Sequence, residues 1–176
     1  MNLITVAPTW LAVLLAAALV AAAAEDLVRL RISNITVLVV LAGAIAAMAF
    51  GGFPGALWEN AVVFAGILAV GTFAFARSWL GGGDVKLLAA TGLWVGFVAA
   101  PWLLAAIFIA GGIVAILFIV VRKLRGLKRS QANRIPYGIA IAAGALFLLG
   151  NQYADSQSQR NFRPLPAIKG VNLPHP

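Results

Sequence analysis

The sequence predicts an all-α, polytopic membrane protein with about six transmembrane helices. Hydrophobic residues make up 62% of the 176 positions and charged residues only 10%, whereas soluble domains have about one half and about one quarter. The apolar residues fall into stretches close to the roughly 20 residues that cross a bilayer as a helix. We therefore predict one membrane domain over residues 1–150 and a polar, proline-rich, poorly ordered tail over residues 151–176.

The first three transmembrane helices are predicted at residues 8–27, 35–50 and 61–76. Residues 1–8 contain no Lys or Arg, whereas a secretory signal peptide begins with a basic region, so we interpret the first apolar stretch as a retained helix. The glycine- and proline-containing segment 51–55 is a turn signal that ends the second helix.

The last three helices are predicted at residues 85–97, 102–121 and 135–149, with Pro101 breaking the run between the fourth and the fifth. Pro136 falls in the first turn of the sixth helix, where proline is tolerated because the amide there has no partner within the helix. The sixth stretch is short for a full crossing.

Basic residues lie mainly on one side of this arrangement. Six helices place the loops after the first, third and fifth helix together, and ten of the 13 Lys and Arg residues lie in or beside them. These are Arg29, Arg31, Arg77, Lys86, Arg122, Lys123, Arg125, Lys128, Arg129 and Arg134. The positive-inside rule makes this side cytoplasmic, so both termini face outward. The net charge of +8 is thus explained by topology and by contact with lipid head groups, and no nucleic-acid partner is predicted.

Little catalytic chemistry is available to the chain. There is no cysteine, which excludes thiol catalysis and Cys-based metal sites, and the single histidine, His175, lies among prolines beside the C-terminus. We predict no cofactor and no metal ion. The acidic residues remain as candidates: Glu25, Asp26, Glu59, Asp84 and Asp155.

Asp26 and Asp84 stand at the ends of predicted helices on the same side of the membrane. Ionisable groups at membrane depth are costly and mark functional sites by default. Two neighbouring acids tend to share one proton, so one can activate water while the other polarises a carbonyl. Glycines 81–83 allow a close approach of backbone to a substrate. The residues alone leave a simpler interpretation equally open, in which the glycines form a flexible loop and Asp84 is a helix cap.

Three segments resemble one known family. Gly81-Gly82-Gly83-Asp84, followed by Val85-Lys86, resembles the GxGD motif of intramembrane aspartyl proteases, and most closely that of the type IV prepilin peptidases. Residues 26–34 resemble the first motif of that family, with Ser33 where the family usually has proline. Residues 135–142, which contain Pro-Tyr-Gly, are similar to its late helix start. The resemblance covers residues 20–150 approximately.

The resemblance implies an enzyme that cleaves prepilin or pseudopilin precursors at the cytoplasmic face of the bacterial inner membrane, with Asp26 and Asp84 as the catalytic pair. The larger members, which also methylate the product, carry an added cytoplasmic region that often has paired cysteines. This chain resembles the small peptidase-only branch of Flp/Tad pilus systems, so no methyltransferase activity is expected. The residues expected to bind substrate or shape the site are Asn34, Gly81, Gly82, Gly83, Lys86, Pro136, Tyr137 and Gly138.

Neighbouring residues have more ordinary interpretations. Glu25 points about 100° away from Asp26 on a helix, so it is expected to face elsewhere or to support the site. Lys86 is expected to contact lipid or a loop rather than to tune Asp84, and Tyr137 to act as an interfacial anchor or as a hydrogen-bond donor near the site. The arginines at 29, 31 and 77 are interpreted as topology determinants.

Two other functions remain open at this stage. A small proton-coupled transporter or channel could use Asp26 and Asp84 as a relay, but transporters usually show repeated halves and polar groups near the bilayer midplane. A membrane scaffold would not need two acids at matched depth. Neither the oligomeric state nor the identity of the precursor is indicated by the sequence.

Overall fold

The computed structural model describes residues 2–52, 57–124 and 137–161. This part of the chain is helical and contains no strand, which confirms the predicted all-α class. The helices are α1 (Leu3–Val6), α2 (Thr9–Arg29), α3 (Asn34–Phe50), α4 (Leu57–Ala76), α5 (Gly82–Leu124) and α6 (Tyr137–Asn161).

Helix α6 defines the two ends of the helix bundle. The Gly138 amide at its start bonds to Asp26, in the last turn of α2. Near its other end, Gln152 accepts a hydrogen bond from Asn2. We call the end of the bundle that holds Asp26 the Asp end, and the end that holds Asn2 the opposite end.

Helix α5 contains a reversal of direction at Gly96. This residue has φ 69° and ψ −178°, a conformation that is open to glycine but rarely to other residues. It divides α5 into α5a (82–95) and α5b (97–124). Helix α4 ends beside the pocket that holds Asp26, because Phe75 lines that pocket, so Asn60 at the start of α4 lies toward the opposite end. Since α5a begins in the same pocket and its Leu93 carbonyl accepts from Asn60, α5a runs away from the Asp end.

Helix α5b returns to the Asp end alongside α6. A Cβ atom at Gly144 would lie 2.7 Å from the Ile107 backbone nitrogen, and one at Gly111 would lie 3.6 Å from the Ala140 Cβ. Helices α5b and α6 are therefore antiparallel, and the later residues of α5b lie nearer to Gly138. The two halves of α5 are antiparallel, and the described part of α5b ends on the side of the Asp end.

The predicted break at Pro101 is wrong, because the helix continues through this residue and reverses at Gly96 instead. Pro101 lies in the first two turns of α5b, where it costs at most one helical hydrogen bond. A reversal needs a positive φ, which proline cannot adopt and glycine can.

Three helices are long and apolar enough to cross a membrane by length and composition among the residues described: Thr9–Arg29, Leu57–Ala76 and Gly82–Val121. Helix α3 is apolar but has only 17 residues. By this criterion the spans are fewer than six. The candidate span Gly82–Val121 contains the reversal at Gly96 and therefore holds two antiparallel helices. The number of six transmembrane helices stays a prediction.

Helix α6 is longer than the sixth apolar stretch. It was expected to end at residue 149 but continues through Asn161. The polar residues of this extension include no proline, and Gln152 within it bonds to Asn2 at 2.7 Å. Residues 162–176 and Pro136 lie outside the described residues, so the boundary at residue 150 stays a prediction.

Helix α5a lies between α3 and α4, and small residues allow the close contacts. Trp94 is fully buried, and its indole nitrogen donates to the Val40 carbonyl at 3.0 Å. A Cβ at Gly43 would lie 2.9 Å from the Trp94 ring, and one at Gly92 would lie 2.5 Å from Ile67 of α4. Such approaches are typical of packed membrane helices.

We predict that Gly144→Ala destabilises the fold. The added methyl would meet the backbone of Ile107, which cannot rotate away, so the α5b–α6 contact must open. The free energy of unfolding should fall by about 1–3 kcal/mol, measured by SDS titration of the protein in detergent micelles. Gly112→Ala is the control, since nothing lies within 4 Å of that position. Equal stability of the two variants would contradict the close α5b–α6 contact.

Candidate active site

Asp26 connects the end of α2 to the start of α6. Its side chain is only 4% exposed, and its Oδ2 atom accepts a hydrogen bond from the Gly138 amide at 2.6 Å. Gly138 is the second residue of α6, so this amide has no partner within its own helix. A carboxylate at a helix N-terminus satisfies such a donor and complements the helix dipole. Asp26 therefore caps α6 from a different helix.

Glycine at position 138 is required by this contact. A Cβ there would lie 2.8 Å from the Asp26 Cβ and 2.9 Å from its Oδ2. Any side chain would push the two helix ends apart. Gly138, expected only to shape the site, thus supplies the hydrogen bond that holds one of the two acids.

Asp84 caps its own helix. It is the third residue of α5, is 9% exposed, and its Oδ2 atom accepts from the Gly81 amide at 3.2 Å. This is the side-chain half of a capping box, in which an acid in the first turn reaches back to the residue before the helix. Asp84 therefore caps its helix, as the simpler interpretation of the sequence proposed. This role does not exclude a second one, because the same side chain also lines a pocket.

Asp26 and Asp84 line one pocket of about 640 Å³ at the Asp end. The two acids are 58 positions apart and come from different helices, and their carboxyl groups interact electrostatically. The pocket combines a pair of acidic side chains with aromatic walls and a glycine-rich edge. Its other lining residues are Leu30, Arg31, Ile32, Phe75, Ser78, Trp79, Leu80, Gly81, Gly82, Gly83 and Tyr137.

The three consecutive glycines meet different neighbours. Gly83 lies against the α2–α3 turn, where a Cβ would come within 3.1 Å of the Ile32 carbonyl oxygen. At Gly81, a Cβ would lie 2.7 Å from Asp84 Oδ2, whereas at Gly82 it would make an ordinary contact with Phe75. The glycine run therefore serves close packing around Asp84, in addition to any approach of a substrate.

Two turns beside the pocket have non-glycine residues with positive φ, which the sequence analysis missed. Leu30 has φ 51°, and its amide bonds to the Asp26 carbonyl at 2.9 Å. Ser78 has φ 60°, and hydrogen bonds from Ser78 to Phe75 and from Trp79 to Ala74 form a Schellman motif at the end of α4. Such backbone is unfavourable for L-residues and concentrates at functional sites. No local sequence signal marks either residue, because glycine is the usual choice at this position.

Three other candidate residues lie outside the pocket lining, and a fourth belongs to it. Lys86 donates to the side chain of Asn34, the first residue of α3, at 3.1 Å. Glu25 faces the start of α3 and not the pocket. Arg77 lies over the Phe73 ring at 4.8 Å. Arg31, interpreted from sequence as a topology determinant, lines the pocket.

Comparison with known proteins identifies the class of this membrane protein. The sequence model of the type IV leader peptidase family matches residues 13–119, a range that includes both Asp26 and Asp84. The chain therefore belongs to the type IV leader peptidase family, and the predicted resemblance is confirmed at that level. No curated protein and no solved structure gives a significant match.

We predict that Gly138→Ala lowers peptidase activity. The methyl would displace the Asp26 carboxyl group from the α6 amide, and small misplacements of reacting groups cost on the order of tenfold to a hundredfold in rate. The measurement is cleavage of a type IV prepilin by purified protein in detergent. Gly150→Ala, on the same helix in open space, is the control and should cleave normally. Wild-type cleavage by Gly138→Ala would show that this contact does not position the site.

Proposed function

We propose that this chain is an aspartic endopeptidase that removes the basic leader from type IV prepilins of the Flp type at the cytoplasmic face of the bacterial inner membrane. The observation that carries the proposal is the single pocket lined by Asp26 and Asp84. Family membership supports peptidase activity in general. The pair supports the aspartic mechanism, because the two acids come from different helices and line the same pocket of substrate size.

The reaction needs one carboxylate and one carboxylic acid. The ionised member takes a proton from water as the water oxygen attacks the scissile carbonyl carbon. The protonated member donates a hydrogen bond to the carbonyl oxygen and later gives a proton to the leaving amine as the C–N bond breaks. Both carboxyl groups are held by backbone amides at helix N-termini, so their orientation does not depend on mobile side chains.

The position of the pocket suits a precursor whose basic leader joins a hydrophobic helix. The pocket lies at the end of the bundle, so a scissile bond there falls at the membrane edge while the hydrophobic segment remains in the bilayer. Phe75 and Trp79 supply apolar walls, and Gly81, which is exposed and precedes α5, supplies accessible backbone at the pocket.

A proton relay across the membrane is not favoured by the structure. Such a relay would need polar groups leading from the Asp pair toward the opposite end. Beyond the pocket, the buried side chains of α5a are mostly apolar, and the Thr91 hydroxyl is already bonded to the Leu87 carbonyl. Farther along, the buried Asn60 side chain donates to the Leu93 carbonyl at 2.7 Å.

We predict that Asp26→Asn and Asp84→Asn each lower the rate of precursor cleavage by about 10³-fold or more, because each removes one partner of the acid–base pair. Cleavage of a co-expressed prepilin, followed by the mobility shift of the product, measures this. Asp155→Asn is the matched control, since Asp155 is an exposed acid on α6, and should cleave like wild type. Full processing by either pocket variant would remove the aspartic assignment.

We also predict that the Asp end faces the cytoplasm. The chain contains no cysteine, so single cysteines can be placed by Arg77→Cys at the Asp end and by Asp155→Cys beyond Gln152. A membrane-impermeant maleimide applied to intact spheroplasts should label the second variant, and should label the first only after the membrane is opened. The reverse pattern would place the site on the outer face and exclude cytoplasmic processing.

A further inference from the structure

We propose that Glu25 is a positioning residue, which sets the location of Asp84 relative to Asp26 through the turn between α2 and α3. The inference rests on the proposed function, in which the two aspartates act as a pair. Glu25 does not line the pocket. Its Oε2 atom accepts a hydrogen bond from the Ser33 amide at 2.8 Å, and its Oε1 atom accepts one from the Thr36 hydroxyl at 3.0 Å.

These two bonds attach the start of α3 to the last turns of α2. Ser33 is the N-cap of α3, and its hydroxyl accepts from the Thr36 amide at 3.2 Å. Glu25 completes this cap from outside by accepting from the Ser33 amide. The residue directly before Asp26 on α2 therefore holds the first residues of α3 in place.

The same turn lies against the residues on both sides of Asp84. Ile32 is buried against Gly83, where a Cβ would come within 3.1 Å of the Ile32 carbonyl oxygen. Asn34 accepts a hydrogen bond from Lys86 at 3.1 Å. Ile32 and Asn34 thus contact Gly83 and Lys86, which lie on either side of Asp84 in the sequence. On the other helix, Glu25, which precedes Asp26, accepts hydrogen bonds from residues 33 and 36.

This turn is a main connection between the two aspartate-bearing helices. Helices α2 and α5 make few direct contacts with each other, whereas both pack against α3 and against α6. The distance between the carboxyl groups is therefore set through intermediates. One route is the Asp26–Gly138 bond to α6, and the other is the contact from Glu25 through the α2–α3 turn to Gly83 and Lys86.

Two substitutions at position 25 separate positioning from a need for charge. A glutamine retains both contacts, because its carbonyl oxygen can accept from the Ser33 amide while its amide nitrogen donates to the Thr36 hydroxyl. An alanine loses both. Positioning predicts that Glu25→Gln works and Glu25→Ala does not, whereas a proton-transfer or charge role predicts that both fail.

The first measurement is steady-state cleavage of a purified prepilin by detergent-solubilised protein. We expect Glu25→Ala to lose on the order of tenfold to a hundredfold in kcat with little change in KM, and Glu25→Gln to stay within about threefold of wild type. Thr36→Val removes the Thr36–Glu25 bond, and with it the contact between the Thr36 and Ser33 hydroxyl groups, at nearly constant volume, so an intermediate loss is expected. This variant also tests the proposal if Glu25→Ala does not accumulate in the membrane.

The second measurement does not depend on activity. Asp26→Cys and Asp84→Cys together place two thiols in one pocket of an otherwise cysteine-free chain. A series of bifunctional thiol reagents of increasing length then reports the separation of the two positions. The length that gives the highest yield should change when Glu25→Ala is added and should stay the same with Glu25→Gln.

The outcomes distinguish this inference from the proposed function. Wild-type kcat in Glu25→Ala, an inactive Glu25→Gln, or a cross-linking profile unchanged by Glu25→Ala would each overturn the positioning role. None of these results affects the proposed aspartic mechanism, which fails if Asp26→Asn or Asp84→Asn still cleaves. In that case, a cross-linking profile altered by Glu25→Ala would still support the role of the turn in placing the two helices.

Discussion

The hydrogen bond from the Gly138 amide to Asp26 is the contact on which the rest of the site depends. It joins residues 112 positions apart and holds the last turn of α2 to the first turn of α6. A buried carboxylate is costly unless donors satisfy it, and the first amides of a helix need an acceptor when water is scarce. Each group therefore supplies what the other lacks. Helix α6 in turn contacts α5b through Gly144, so the position of Asp26 is connected to the packing of the whole bundle.

The carboxyl groups of both pocket acids lie at helix N-termini, that of Asp26 at the start of α6 and that of Asp84 at the start of α5. A role as a helix cap is therefore compatible with the proposed catalytic role. Asp84 accepts from the Gly81 amide of its own helix, and Asp26 accepts from a helix that follows much later in the chain. Backbone amides of rigid helices fix both carboxyl groups in orientation, which is what a catalytic pair requires. A residue that stabilises the end of a helix can thus be held ready for reaction by the same bond.

The resemblance implies proline at the position of Ser33, and this difference has a structural counterpart. Ser33 has φ −73°, a value that proline also adopts, but proline has no amide hydrogen for Glu25 to accept. The bond between Ser33 and Glu25 is therefore possible in this chain because proline is absent. In place of a stiff ring at the start of α3, the chain has a glutamate that holds the turn from the neighbouring helix.

Composition and hydrophobic pattern determined the all-α membrane class and the placement of the two aspartates at helix ends, because these are properties of consecutive residues. The tertiary structure alone decided that the chain reverses at Gly96 and not at Pro101. It also decided that Gly138 is the hydrogen-bond partner of Asp26, and that the side chain of Glu25 faces α3. It also placed Leu30 and Ser78 in positive-φ turns beside the pocket. Each of these depends on a hydrogen bond or a packing contact between distant segments. A hydrophobic pattern shows which residues are apolar, but it does not show which donor will meet which acceptor.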